Sequence, residues 1–110
     1  IRLIGIDTPE VYGEVECGGP QASAAMKKLA VGRVRITTDP TQDRRDRYGR
    51  LLAYVNKGPV DLGRLMIARG LASVYVYDDY FKRFSSYNRA ENSATDADRG
   101  SWKHCDITVD

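Results

Sequence analysis

The residues Arg2 to Glu10, RLIGIDTPE, open the chain with a strand pattern that runs into an acidic turn. Residues 1–6 alternate bulky apolar side chains and are rich in β-branched residues, which predicts a β-strand. Asp7, Thr8 and Pro9 form turns readily and end that strand. Asp7 and Glu10 therefore lie where a strand leaves its sheet, and two carboxylates in such a turn can point into one cleft.

The acidic turn permits two interpretations. One of the two carboxylates, together with a neighbouring backbone carbonyl, offers the oxygen ligands that a hard cation such as Ca²⁺ takes. The other carboxylate can then order or deprotonate a water molecule. Taken alone, residues 7–10 are more typical of a simple turn or a helix start. They predict a catalytic site only in combination with other groups.

Arginines supply those other groups. Four of them lie within DRRDRYGR, residues 43–50: Arg44, Arg45, Arg47 and Arg50. Guanidinium groups stabilise the negative charge that builds up on phosphorus-bound oxygens when a phosphodiester bond breaks. Arg2 lies on the strand that carries Asp7, and Arg50 opens a later strand. The set predicts a phosphate site, although a solvated basic turn is the commoner explanation of a charge run.

Three tyrosines form a third element, namely Tyr48, Tyr75 and Tyr77. Aromatic faces bind the bases of single-stranded nucleic acid by stacking, with little sequence preference. Tyr75 and Tyr77 share one face if their segment is extended. Tyrosine in a strand is more often half-buried packing. We assign these side chains to nucleotide binding only because the acidic turn and the arginines call for a nucleotide.

The remaining pattern predicts three helices and further strands. The spacing of Ala22, Ala25, Met26 and Leu29 predicts a helix that begins near Pro20. A second helix is predicted after Asp61 as its N-cap, and a third over about residues 80–99. Residues 34–38, 50–56 and 71–77 are strand-like. Because strands and helices do not alternate regularly, we expect an α+β fold with a small antiparallel sheet.

Length and composition fit a single domain. The chain has 110 residues, enough for one modest core. Its 42% hydrophobic and 29% charged residues exclude a disordered or fibrous class. The longest apolar runs, such as residues 51–55, are too short to span a bilayer, so we expect no membrane partner. We expect a monomer.

Cys17 and Cys105 are the only cysteines, near opposite ends of the chain. If they pair, the long closed loop contributes roughly 4 to 5 kcal/mol to stability, and an oxidising compartment follows, which means a secreted or periplasmic protein. Two unrelated reduced thiols remain the alternative, because sequence alone does not bring the two Cα atoms together. A zinc site with His104 is a poorer explanation, since the C-x-x-C spacing is absent.

Five segments in order resemble the staphylococcal nuclease (thermonuclease) family: RLIGIDTPE, GPQASAAMKKL, DRYGRLLAYV, ARGLASVYVY and residues 91–102. The resemblance covers nearly the whole sequence. It implies an OB-fold, a five-stranded barrel with three helices, and a calcium-dependent endonuclease. Such an enzyme hydrolyses phosphodiester bonds of single-stranded DNA and RNA and leaves 3′-phosphate ends.

The resemblance also implies residue roles. Arg2, Glu10 and Arg50 match the family's catalytic residues, with the glutamate usually described as the general base. Asp7 and Thr8 resemble the calcium ligands. The residues that match the nucleotide pocket are Arg47, Tyr48, Tyr75 and Tyr77.

Two expectations qualify this interpretation. The family's other calcium aspartate belongs to a strand upstream of Ile1, so we expect that residues 1–110 lack the N-terminal hairpin of the domain. The alternative function is a catalytically silent OB-fold module that binds nucleic acid or a protein. Silent copies are expected to lose the arginines or the glutamate, and Arg2, Glu10 and Arg50 are all present, which favours the enzyme.

Overall fold

A computed structural model describes residues 1–8, 17–77 and 79–100. Within these ranges the chain forms an α+β fold of six short strands and three helices. In chain order they are β1 (Arg2–Leu3), β2 (Ile6–Asp7), α1 (Gly19–Leu29), β3 (Arg35–Thr37), β4 (Leu52–Lys57), β5 (Val60–Asp61), α2 (Leu62–Ala68), β6 (Ser73–Val74) and α3 (Phe84–Asp96).

The three predicted helices are confirmed, with one change of length. Helix α1 carries Pro20 in its first turn, where the missing N–H costs nothing. Helix α2 begins after Asp61, whose carboxylate accepts a hydrogen bond from the backbone nitrogen of Arg64 at 3.2 Å, as expected of an N-cap. Helix α3 starts at Phe84 instead of residue 80. The preceding residues are bonded elsewhere, since the backbone nitrogen of Lys82 donates to Asp39.

The main sheet is mixed, so the expectation of an antiparallel sheet was wrong. Strand β4 lies at its centre and pairs with β3 and β5 in antiparallel orientation. Strand β1 pairs with β4 in parallel, with Arg2 opposite Leu52. Strands β2 and β6 form a separate antiparallel pair, with Ile6 opposite Val74. The first segment of the chain therefore contacts both sheets.

The predicted strand over residues 1–6 is broken into β1 and β2 by a turn at Ile4 and Gly5. Gly5 has a φ of 81°, a conformation that side chains rarely adopt. A Cβ at this position would also overlap the ring of Phe81. The apolar alternation was correct, because Ile4 and Ile6 are buried. Close packing of an aromatic ring on the backbone breaks the strand.

The described residues do not close into a barrel. Closure would require hydrogen bonds between the outer edges of β1 and β3, and these strands lie on opposite sides of β4. The expected five-stranded barrel is thus not seen in this part of the chain, which has a four-stranded and a two-stranded sheet. None of the described helices is long and apolar enough to cross a membrane.

The core lies between the sheets and the helices and is rich in aromatic rings. Tyr87 of α3 is 1% exposed and makes edge-to-face contacts with Tyr54 at 6.1 Å and with Phe81 at 5.3 Å between ring centroids. Met66 and Ile67 of α2 are fully buried beside it. This packing fixes α2 and α3 against β4.

Candidate active site

A cleft of about 610 Å³ opens beside β1 and β2. Its walls come from the start of the chain, from the arginine-rich segment and from the residues after β6. The residues that line it are Arg2, Ile4, Gly5, Asp7, Gln42, Asp43, Arg45, Asp46, Arg47, Tyr48, Arg50, Leu52, Tyr75 and Tyr77. Residues predicted from three distant parts of the sequence therefore meet in one place.

The arginine-rich segment folds as a hairpin and not as an open loop. Arg45 forms a β-bridge with Leu51, and the backbone nitrogen of Leu52 donates to the carbonyl of Arg44 at 2.9 Å. The chain reverses at Gly49, which has a φ of 80°. This hairpin leads directly into β4, the central strand. The backbone that carries the arginines is therefore held by hydrogen bonds.

Asp46 organises the tip of the hairpin. Its Oδ1 accepts hydrogen bonds from the backbone nitrogens of Tyr48 and Arg50, both at 2.9 Å. Its Oδ2 accepts one from Nε of Arg50 at 2.7 Å. Burial tends to raise the pKa of Asp46, but these hydrogen bonds outweigh it and lower the pKa below its ordinary value. The carboxylate stays ionised and directs the Arg50 side chain.

Arg2 reaches the same cleft through the sheet. Its Cα is paired with that of Leu52, two residues beyond Arg50. The backbone nitrogen of Arg2 donates to the carbonyl of Leu51 at 2.8 Å, and its Nη1 donates to the carbonyl of Leu3 at 3.3 Å. The parallel β1–β4 pairing therefore brings together two arginines that are 48 positions apart in sequence.

The pairing of β2 with β6 places Asp7 next to the tyrosine segment. Asp7 is opposite Ser73, and the backbone nitrogen of Tyr75 donates to the carbonyl of Gly5 at 2.9 Å. Helix α3 adds a further anchor, because the carboxylate of Glu91 accepts from the backbone nitrogen of Val74 at 2.6 Å. Asp7 and the segment that begins at Ser73 are thus held in register by backbone pairing.

The three tyrosines of the cleft are exposed and are not packed in the core. Tyr48 is 70%, Tyr75 46% and Tyr77 55% accessible. The Tyr48 ring also lies 5.1 Å from Cζ of Arg47 and 5.4 Å from Cζ of Arg50. Side chains that served core packing would be covered, whereas these three remain largely accessible to solvent.

The acidic part of the site offers a carboxylate and a backbone carbonyl, the oxygen ligands that a hard cation takes. The structure describes Asp7 and Thr8 of this part. Asp7 is exposed and lines the cleft. Among the described residues, no side chain is shown in a hydrogen bond or ion pair with its carboxylate. Thr8 follows Asp7 but does not line the cleft. Glu10 lies outside the described residues. Among those described, no group of three or more acidic, histidine or cysteine side chains is positioned to hold a metal.

A model of the family described as staphylococcal nuclease homologue matches residues 1–104. The chain belongs to the staphylococcal nuclease family. This is the family that the five motifs resemble, and its OB-fold is consistent with a small mixed sheet flanked by helices.

Individual relatives match over most of the chain. The SPbeta prophage-derived endonuclease YokF of Bacillus subtilis is 33% identical over 107 residues, which cover 93% of this chain and 36% of that protein. Endonuclease YncB of the same species is 32% identical, covering 93% of this chain and 50% of that protein. The thermonuclease of Staphylococcus hyicus is 32% identical, covering 94% and 63%. The chain thus spans between about a third and two thirds of these relatives.

Sequence reasoning missed several residues of the cleft wall. Gln42, Asp43 and Asp46 line it and were not singled out, although they lie within or beside the arginine cluster. Asp46 has a local signal, because an aspartate two residues before Tyr48 is able to cap the turn that follows. Gln42 has no such signal, since its partner is a backbone carbonyl 37 positions away.

Proposed function

We propose that this chain is the catalytic domain of a calcium-dependent endonuclease. Its substrates are single-stranded DNA and RNA, and its products carry 3′-phosphate ends. The supporting observation is that Arg2, Arg50 and Asp7 line one cleft together with three exposed tyrosines. Cationic groups for the phosphate, flat faces for the bases and an oxygen ligand for a metal are the parts that this hydrolysis needs.

The reaction follows from the charge of its transition state. Water attacks phosphorus, the bond to the 5′ oxygen breaks, and that oxygen takes a proton while the phosphate remains on the 3′ oxygen. Arg2 and Arg50 stabilise the charge that develops on the phosphoryl oxygens through hydrogen bonds from their guanidinium groups. Glu10 is proposed as the base for the water on the basis of the family pattern. Arg47 and the tyrosines orient the nucleotide.

Asp7 and the carbonyl of Thr8 would hold Ca²⁺. A bound cation would supply charge neutralisation at the phosphate and a site for water. Calcium takes six to eight oxygen ligands, so two protein donors leave most positions to water, substrate or other carboxylates. An all-oxygen donor pair beside a cluster of guanidinium groups suits this role better than a zinc or copper site.

The alternative is a module that binds single-stranded nucleic acid without cleaving it. The exposed tyrosines and the arginines would serve such a module equally well. What favours an enzyme is the arrangement around Arg50. Its Nε is held by Asp46 at 2.7 Å, and a fixed orientation of the guanidinium group is what a transition-state contact requires.

The test is cleavage of a single-stranded oligonucleotide with Ca²⁺ or with chelator. We expect wild-type protein to cleave only with Ca²⁺, and Arg50→Ala to be slower by a factor of about 100 or more. The cleavage rate of Glu10→Gln should fall by a similar factor. Arg33→Ala is the matched control, because Arg33 is exposed and does not line the cleft.

The outcomes separate the two functions. Equal rates for wild type, Arg50→Ala and Glu10→Gln would refute the proposed enzyme. Binding of the oligonucleotide without any cleavage by wild type would instead identify the silent module. Cleavage in chelator at the rate seen with Ca²⁺ would refute the proposed calcium dependence but not the proposed role of the arginines.

We further propose a secreted or periplasmic monomer with a bond between Cys17 and Cys105. Cys105 lies outside the described residues, and the support is that the sequence contains these two cysteines and that no free cysteine is found among the described residues. Thiol titration of the denatured, unreduced protein should detect no free thiol. Detection of two would exclude the bond.

A further inference from the structure

Tyr80 is an exposed aromatic side chain that the predicted site does not include. It is 69% accessible, as open as Tyr48 inside the cleft. One edge of its ring is held by Phe84, with centroids 4.7 Å apart and planes at 67°. That contact restricts the ring and leaves most of it facing solvent. Tyr80 is therefore a preformed flat surface.

The segment that carries Tyr80 is hydrogen-bonded on one side to a residue of the cleft wall and on the other side to the buried Asp39. The carbonyl of Asp79 accepts a hydrogen bond from Nε2 of Gln42 at 2.9 Å, and Gln42 lines the cleft. The backbone nitrogen of Lys82 donates to the buried carboxylate of Asp39 at 2.8 Å. Tyr80 thus directly follows a residue that is bonded to the cleft wall, and it lies three residues beyond Tyr77 in the chain.

We propose that Tyr80 is an additional stacking position for single-stranded nucleic acid, which binds a base just outside the cleft. The inference rests on the proposed function. The cleft holds the nucleotide at the cleavage point through Tyr48, Tyr75 and Tyr77. In this proposal Tyr80 adds one more exposed ring beyond Tyr77 in the chain, so a longer strand gains one more base contact than a dinucleotide does.

The charge around Tyr80 favours a base over a phosphate as its ligand. Asp78 and Asp79 precede it in sequence, and carboxylates repel the phosphate backbone. Lys82 follows at a position that is also exposed. Stacking on a ring requires no particular base, since every base has a flat face. We therefore expect Tyr80 to add dependence on substrate length and little dependence on sequence.

The experiment compares kcat/KM for oligothymidylates of two and six nucleotides, using the full chain. Tyr80→Ala should lower kcat/KM for the hexanucleotide by about five- to tenfold, the lower end of the range for one stacked base. The dinucleotide should be cleaved at the wild-type kcat/KM. Tyr80→Phe keeps the ring and should behave as wild type on both.

Three results would overturn the stacking position: equal kcat/KM for Tyr80→Ala and wild type on both lengths, an equal loss on both lengths, or a loss in Tyr80→Phe as large as in Tyr80→Ala. Urea unfolding of each variant separates loss of the Phe84 contact from loss of stacking. If wild type cleaves nothing, the proposed function fails by itself. The same variants then test Tyr80 through fluorescence anisotropy of a labelled hexathymidylate. Tyr80→Ala should raise Kd by about five- to tenfold, and Tyr80→Phe should leave Kd unchanged.

Discussion

Asp46 holds Arg50 at two points, because its carboxylate accepts from both the backbone nitrogen and Nε of that arginine. The Arg50 side chain is 50% exposed, so the ion pair itself contributes only about 0 to 1 kcal/mol to stability. Its effect is on geometry. An arginine whose Nε is engaged keeps its terminal nitrogens in one plane and one direction, ready for bidentate contact with a phosphate. Asp46 is therefore a positioning residue for the proposed reaction.

Replacing Asp46 tests this role. In Asp46→Ala the Arg50 side chain loses its anchor, and we expect kcat to fall about tenfold or more while KM changes less, since misorientation acts mainly on the transition state. Asp46→Asn retains an oxygen for the turn and should lose less. Steady-state kinetics on one oligonucleotide measure both constants.

Asp43 provides the matched control, because it also lines the cleft and carries the same charge. Asp43→Ala removes one negative charge without touching Arg50. If Asp43→Ala and Asp46→Ala lower kcat equally, the effect is one of charge near the phosphate and the positioning role is wrong.

The contact between α2 and α3 depends on Asp61. Its carboxylate caps α2 and also accepts from Nη1 of Arg83 at 2.8 Å and from the hydroxyl of Tyr87 at 2.9 Å. Burial raises the pKa of Tyr87, and the nearby Asp61 carboxylate raises it further, so the phenol stays protonated and donates. One side chain thus accepts hydrogen bonds from the first turn of α2, from Arg83 just before α3 and from Tyr87 within α3.

Removal of the Asp61 carboxylate should destabilise the whole fold. Asp61→Ala loses the cap, leaves Tyr87 without its acceptor and leaves Arg83 with Asn56 but without its carboxylate partner, and we expect a loss of about 3 kcal/mol in the free energy of unfolding. Asp61→Asn keeps a cap acceptor and should lose roughly half as much. Urea unfolding followed by circular dichroism measures both, and a loss below about 1 kcal/mol for Asp61→Ala would contradict the role given to Asp61.

Across the whole molecule, Asp39 connects parts of the chain that are far apart in sequence. It is 4% exposed and accepts from Tyr54 on β4, from the backbone of Lys82 before α3, and from both the backbone and the hydroxyl of Thr41. Burial tends to raise the pKa of Asp39, but these donors outweigh it and lower the pKa from 3.8 to about 2. The ionised carboxylate stabilises the junction below the cleft.

The lowered pKa predicts a loss of stability in acid. Because Asp39 binds a proton less readily in the folded chain, its contribution is complete above about pH 4 and is lost as the pH falls toward 2. The difference in pKa corresponds to about 2 kcal/mol. Asp39→Asn should be less stable than wild type at pH 7 by on the order of this amount, and the two should converge near pH 2.

Urea unfolding of the two proteins between pH 7 and pH 2 isolates the Asp39 contribution, since the other carboxylates titrate in both. The pKa of Asp46 is lowered as well, so this carboxylate also makes the folded chain less stable as the pH falls. A gap between wild type and Asp39→Asn that stays constant down to pH 2 would show that Asp39 does not titrate as described.

Much of the fold could be predicted because its signals are local. Helix α1 follows from the spacing of apolar residues after Pro20, and the start of α2 follows from Asp61. The start of α3 could not be predicted, since helix propensity in residues 80–83 is overridden by bonds to Asp39 and Gln42. The break at Gly5 depends on Phe81, which is 76 positions away.

For the candidate site, the sequence by itself determined which chemical groups are present. Arginines, tyrosines and an acidic turn are covalent properties of the chain, and their motifs identify the family. Only the tertiary structure decided how they meet. The parallel β1–β4 pairing places Arg2 beside the hairpin of Arg50, and the β2–β6 pairing places Asp7 beside Tyr75. These contacts join segments 48 to 70 positions apart, and the free energy that selects them comes from burial and backbone pairing across the whole core.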